Sequence, residues 1–236
     1  MQRKKLPIGI QTLAKIREDD AYYYVDKTDL AVKLIEQGSH YFLSRPRRFG
    51  KSLFLDTLKE LFEGNAALFT GLYAEKHWNW SVKYPVIRIN LAEGVWQSSE
   101  IFNIRIREIL AENEQRLGAH GTEESIAGRF GGLIRATAEK YGQRVVVLVD
   151  EYDKPILDNI DNPDIALIMR DGLRDLYSVI KSRDAEIKFA FLTGVSKFSK
   201  VSLFSGLNNL NDITLDPAYG TICGYTDHDL DTVFSP

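Results

Sequence analysis

Ser44-Arg45-Pro46-Arg47-Arg48-Phe49-Gly50-Lys51-Ser52 is the stretch on which the reading of this chain turns. The apolar run Tyr41-Phe42-Leu43 leads into it, and Leu55, Leu58, Leu61 and Phe62 follow at helical spacing. Strand, loop, Gly-Lys-Ser and helix in that order form the context a phosphate-binding loop requires. Backbone N–H groups at a helix start carry partial positive charge and point outward at an anion. Gly50 lets the backbone come close to phosphate oxygens. Lys51 is placed to reach β- and γ-phosphates, and the Ser52 hydroxyl to ligate magnesium. With Leu53, Arg45 through Ser52 make up the candidate nucleotide-binding residues. The general pattern asks for glycine five residues before Gly50, where this chain has Arg45. Pro46 biases Arg45 toward extended backbone, so the loop is expected to enter by a different turn. The triplet alone arises by chance about once per few thousand positions, so it needs a second site.

The length of 236 residues, with 44 % hydrophobic and 27 % charged, suits one large globular domain or a domain with a small extension. A net charge of −3 gives no bulk attraction to nucleic acid or anionic membrane. One cysteine, Cys223, excludes an internal disulfide framework and fits a reducing cytoplasm, the expected location. No run approaches the ~20 apolar residues of a membrane helix. The four histidines lie far apart and lack metal-binding spacing.

Along the chain, Leu6 to Ile10 reads as an extended arm and Tyr22 to Asp26 as a short strand. Asp26 or Thr28 then caps a helix that Gly38 closes. Residues 64–84 read as irregular and aromatic. Residues 85–91 form a strand, a helix begins at Ser98 or Ser99, and another runs over 123–141 with Gly142 ending it. Residues 144–150 contain Val-Val-Val-Leu-Val without a polar break, the mark of a strand buried on both faces. Asn162-Pro163 opens a helix with Ile165, Ile168, Leu173, Leu176 and Ile180 inward. Residues 187–192 are another buried strand, and 212–215 the last. Strands alternating with helices argue for an open, mostly parallel α/β sheet, with its ligand at the carboxyl ends of the strands.

Asp150 and Glu151 end the Val-rich strand. An acid there holds magnesium, directly or through water, and its neighbour polarises the attacking water. The plainer reading is two solvated acids at a strand end; the Gly-Lys-Ser run about 100 residues upstream favours function. Thr193-Gly194-Val195-Ser196-Lys197 closes the next strand, where Thr193 or Ser196 can place the water and Lys197 reach phosphate, against an ordinary turn. Arg45, Arg47 and Arg48 crowd positive charge beside Lys51, so the loop is poised for an anion, with Arg48 a candidate in-cis arginine for the γ-phosphate; pairing with nearby acids is the alternative for each. Tyr22, Tyr23 or Tyr24 can stack on a base, with core packing favoured.

Leu6-Pro7-Ile8-Gly9-Ile10, Tyr24-Val25-Asp26-Lys27-Thr28, Arg45 through Ser52, Asp150-Glu151-Tyr152-Asp153-Lys154-Pro155, Thr193-Gly194-Val195 and Gly206 through Ile213 together resemble the prokaryotic AAA-ATPase-like family. The resemblance spans nearly the whole chain, and makes Arg45 a feature of the family rather than a defect. It implies a three-layer P-loop NTPase with a mostly parallel five-stranded sheet of additional-strand type, the Asp150 strand beside the one feeding Arg45. ATP and Mg2+ are the implied ligands, with Glu151, Lys51, Thr193 and Arg48 acting on the nucleotide and Ser52 and Asp150 on the metal. Many relatives carry a further C-terminal domain similar to PD-(D/E)XK nucleases. The expected organisation is an arm, short strand and helix over 1–40, an ATPase core over 41–222, and the start of a truncated lid over 223–236, with Thr226 capping and Asp229 in a capping-box position. Expected partners are nucleotide, the missing C-terminal domain, a possible second copy, nucleic acid only through that missing domain, and no membrane.

Two rivals remain. A nucleotide-gated switch binds ATP without significant turnover. A metal-dependent nuclease uses Pro163-Asp164 and Glu186-Ile187-Lys188, which match the letters of a PD…ExK site; helical periodicity after Asp164 speaks against it.

Overall fold

Alternating side chains along buried strands build two cores, one on each face of a sheet. The computed structural model describes residues 4–18, 21–196 and 209–234. In chain order the elements are α1 (Leu13–Arg17), α2 (Thr28–Gln37), β1 (His40–Ser44), α3 (Lys51–Glu63), α4 (Tyr73–His77), β2 (Val86–Asn90), α5 (Ser99–Leu117), α6 (Ile126–Tyr141), β3 (Val145–Asp150), α7 (Lys154–Leu157), α8 (Pro163–Ser182), β4 (Ile187–Gly194), β5 (Asn211–Asp212) and α9 (Asp227–Asp229). Tyr41, Leu43, Val146, Leu148, Phe189 and Phe191 face one core with residues of α1, α2 and α3. Phe42, Ile87, Val145, Val147, Ala190 and Leu192 face the other, with α5, α6 and α8. The result is three layers, helix on sheet on helix.

The sheet order is β2-β3-β4-β1-β5, and every pair is parallel. Strand β4 therefore lies between β1 and β3. The expectation that the Asp150 strand adjoins the strand feeding Arg45 is corrected: β4 is the additional strand. Its register sets Leu43 beside Thr193 and Ser44 beside Gly194, while Asn90 pairs with Asp150. Three strand ends, each with a polar residue, thus come level at one edge.

Local sequence explains where helices start. Ser98 accepts from the Ile101 N–H and Ser125 from the Gly128 N–H, ordinary N-caps. Asn162 caps α8, with Pro163 in its first position. Asp26 accepts from the Thr28 N–H at 2.8 Å at the start of α2. Thr226 and Asp229 form the expected capping box.

Other expectations change. The N-terminal arm is joined by helix α1, and of residues 22–26 only Tyr22 pairs, in a bridge to Lys5. Residues 64–84 are not wholly irregular: they hold a 3₁₀ turn at Ala66–Phe69 and helix α4. Helix α6 begins at Ile126, not 123. On α8 the inward position is Met169 rather than the exposed Ile168, since Met169 lies one turn before Leu173. The last strand stops after Asp212; Leu215 is 86 % exposed. Among the described residues no helix is long and apolar enough to cross a membrane.

Strand β2 is an edge of the sheet, and α5 covers it with Asn113 and with Arg116, whose guanidinium donates to the Val86 carbonyl. The Asn113 carboxamide accepts from the Arg88 N–H at 2.9 Å and donates to the Arg88 carbonyl at 2.7 Å. It imitates a neighbouring strand and blocks further pairing there. Asn113→Leu should strand both groups and lower stability by about 1–3 kcal/mol. Urea unfolding should then show an earlier midpoint at unchanged slope.

Candidate nucleotide site

Between β1 and α3 the loop turns on two left-handed residues. Arg48 has φ 66° and Gly50 φ 87°. The turn is made at Arg48 and Gly50, beyond Pro46. A side chain at φ 66° is strained by roughly 1–3 kcal/mol, whereas Gly50 takes its conformation freely. Gly50 then caps α3, so that Lys51 and Ser52 open the helix. Its first N–H groups have no intrahelical acceptor, which makes them anion donors.

The loop's cations have different environments. Lys51 is buried, and its ammonium donates to the Arg45 and Pro46 carbonyls at 3.0 and 3.1 Å. Arg45 is bonded to carbonyls: Nη1 donates to Ser44 O and Thr214 O, and Nη2 to Tyr219 O, at 2.7–3.3 Å. Its guanidinium ties the loop to the segment after β5. Arg47 and Arg48 are exposed, as is Phe49. Ser52 and Leu53 are half-buried on the first turn of α3.

Opposite the loop, β3 delivers Asp150, a buried residue whose Oδ1 accepts from the Thr193 hydroxyl at 2.7 Å and the Glu151 N–H at 3.0 Å. Both bonds fall on Oδ1, so Oδ2 is the oxygen available to a cation. Thr193 is fully buried. Its hydroxyl donates to Asp150 and faces the Val149 carbonyl at 3.4 Å, an arrangement that orients the Asp150 carboxylate. Ser196 likewise spends its hydroxyl on Asp153, at 2.7 Å. Lys197 lies outside the described residues.

Glu151 has φ 51°, the other left-handed non-glycine residue among those described. Burial pushes its carboxyl up, the Asp150 charge adds to this, and Lys51 and Arg47 oppose it, with Asp153 a smaller raising influence. These couplings place Glu151 within electrostatic reach of both loop cations. Lys51, Ser52, Asp150, Glu151 and Thr193 therefore come from α3, β3 and β4 to one edge.

Three features carry no role in the sequence reading. Tyr152 and Asp153 bind the Asp150 turn to the exit of β4. Lys27 forms a 3.0 Å ion pair with Asp229, linking the start of α2 to α9. Gly224 lies against Phe49, close to Gly50. Tyr152, Asp153, Lys27 and Phe49 stand inside stretches quoted above for their resemblance and Asp229 in the expected cap, which was the available signal; Gly224 carried none. Of the tyrosines, Tyr23 packs edge-on to Phe234 and Tyr24 lies below the Arg17 guanidinium, which favours packing over base stacking.

The letters of the nuclease motif separate. Asp164 opens α8 and Glu186 follows its far end, so the two lie about 30 Å apart along a 20-residue helix. Glu186 pairs with Arg183, and Lys188 lies over the Tyr84 ring. Among the described residues no group of three or more His, Cys, Asp or Glu could hold a metal ion.

A parallel sheet with a strand inserted between the Lys-Ser loop strand and the acidic strand defines a P-loop NTPase-like α/β domain. The profile of the family described as predicted AAA-ATPase matches residues 7–204, and the chain belongs to that family. An uncharacterized protein in the vnfD 5′ region of Azotobacter chroococcum mcd 1 is 63 % identical over all 236 residues; the chain spans 46 % of that relative's length.

The raised Glu151 carboxyl makes a stability prediction. A carboxyl with a folded pKa above its unfolded one binds its proton more tightly when folded. It costs stability as pH rises through the ordinary glutamate range to the raised value, and nothing below both. Glu151→Gln should therefore melt at a higher temperature than the parent near neutral pH, with the gain fading in acid. Calorimetric melts across pH in chelator check this.

Proposed function

We propose that the chain binds ATP with magnesium on the Arg45–Leu53 loop and hydrolyses it to ADP and phosphate. The observation that carries this reading is the convergence of Lys51, Asp150 and Glu151 at level strand ends, with Thr193 holding Asp150. ATP's phosphates would meet the N–H groups at the start of α3. Lys51 would exchange its two carbonyl partners for phosphate oxygens. Arg47 and Arg48, exposed beside Lys51, would neutralise the γ-phosphate; Arg48 is the candidate for transition-state charge.

Ser52 Oγ and Asp150 Oδ2 form a hard-oxygen set that suits magnesium, which keeps most of its coordination for water and phosphate. When bound, the ion would neutralise charge shared between phosphates. Glu151 accepts a proton from the attacking water, and a raised carboxyl pKa makes it a better base than a free glutamate. Its strained backbone aims the side chain independently of Asp150.

Residues 41–222 are proposed as the catalytic core, 1–40 as its packed extension, and 223–236 as the start of a lid that leads to a C-terminal nuclease-like part. The relative's greater length supports more sequence beyond this stretch. A cytoplasmic setting, a possible second copy, and contact with nucleic acid only through that C-terminal part belong to the same proposal. A second reading, a switch that binds without turnover, is favoured by one observation: Lys51 and Arg45 are both bonded to backbone carbonyls.

Titration calorimetry with a non-hydrolysable ATP analogue and magnesium separates the readings. Lys51→Ala should abolish binding. Glu151→Gln should bind like the parent but lose turnover by about 100-fold or more. A parent that binds and never turns over leaves the switch; one that does not bind removes both.

A further inference from the structure

Helix α7 begins after Asp153, the kind of residue that best caps a helix. Yet Asp153 makes no side-chain cap bond to α7. Its carboxylate turns across to the exit of β4. Oδ2 accepts from Val195 N at 3.0 Å, Ser196 N at 2.7 Å and Ser196 Oγ at 2.7 Å, and Oδ1 also faces Val195 N at 3.3 Å. Asp153 is fully buried, so these bonds replace its hydration. A short helix thus forgoes its cap and the carboxylate serves another segment.

The segment it serves is packed without slack. A Cβ on Gly194 would fall 2.4 Å from the Tyr152 ring and 2.7 Å from Asp153 Oδ1. Tyr152 adds two bonds, its N–H to Thr193 O at 2.9 Å and its hydroxyl to Ser196 O at 3.0 Å. The Thr193 hydroxyl reaches back to Asp150. Residues 150–153 and 193–196 are therefore stitched at both ends, and Glu151 sits in the middle with its left-handed backbone.

We infer that Asp153 is a positioning residue for the hydrolysis proposed above: by clamping Val195 and Ser196 it fixes the turn that aims Glu151 and the strand exit that brings Thr193 to Asp150. It touches neither phosphate nor water. The inference rests on the hydrolytic reading. What it adds is that the fourth position of Asp150-Glu151-Tyr152-Asp153 controls turnover rather than binding, since nucleotide affinity resides in the loop across the cleft. A displacement of about 1 Å at a reacting group costs on the order of 100-fold in rate.

The test uses the 236-residue chain, with ATP turnover and calorimetric affinity for the non-hydrolysable analogue measured side by side. Asp153→Asn keeps the shape but turns an amide toward three donors. It should lower kcat about 10- to 100-fold and leave the affinity for the analogue unchanged. Ser196→Ala removes one of the clamp's bonds and should lower kcat less, with no further loss in the Asp153→Asn background. A direct role for Ser196 would cost rate in both backgrounds and overturn the inference. So would normal turnover in a folded Asp153→Asn protein, or affinity and kcat falling together. If Asp153→Asn does not fold, Ser196→Ala decides, and unchanged turnover there rejects the clamp. A parent protein that binds the analogue without turnover rejects the hydrolytic reading, and this inference with it.

Discussion

The hydrogen bond from the Thr193 hydroxyl to Asp150 Oδ1 joins the central strand β4 to its neighbour β3 at their carboxyl ends, and much of the site depends on it. It exists because β4 runs between β1 and β3 and carries Thr193 level with Leu43. On one side β4 delivers a hydroxyl to Asp150; on the other its Gly194 carbonyl accepts from the Arg45 N–H where the Arg45–Ser52 loop begins. One strand thus sets the distance between the loop and the acids. A slip of one residue would turn Thr193 to the opposite face and leave a buried carboxylate without its donor.

Two kinds of strain meet across this cleft. Arg48 and Glu151 both hold left-handed backbone that costs residues with a Cβ, and both are held there by rigid neighbours. For Arg48 these are Pro46 and the Gly50 turn. For Glu151 they are the strand bearing Asp150 and the Tyr152–Asp153 stitches. Strained residues on facing edges of a packed sheet are common at functional sites, because geometry, not local preference, then decides where the side chain points.

The strands and helices were legible because burial leaves periodicity in the sequence. Val145 to Val149 could only be a strand covered on both sides, and Gly142 closed its helix as expected. Strand order was not legible. Residues 145–149 and 187–192 are similarly apolar, and nothing local says which one lies beside β1. The three tyrosines at 22–24 resemble a strand, but Tyr23 and Tyr24 satisfy their rings against Phe234 and Arg17 rather than in a ladder. Lys51, Ser52, Asp150 and Glu151 stood out because phosphate chemistry uses those groups, and the fold brings them to one edge of the sheet. Two of the three carbonyl partners of Arg45 come from residues 169 and 174 positions away and leave no mark in composition. Asp153 was visible as a letter, but its bonds to Val195 and Ser196 depend on a fold.

Cys223, the chain's one thiol, lies buried within electrostatic reach of Arg45, Lys51, Asp150 and Lys27. Burial pushes it up to about 12, and the neighbouring cations only partly offset that. At neutral pH the thiolate is then roughly one part in 100,000. Peroxides, alkylating agents and disulfides all react with the thiolate, so this buried thiol is a poor nucleophile at neutral pH. Its surroundings can keep their packing through oxidising episodes that would modify an ordinary surface thiol.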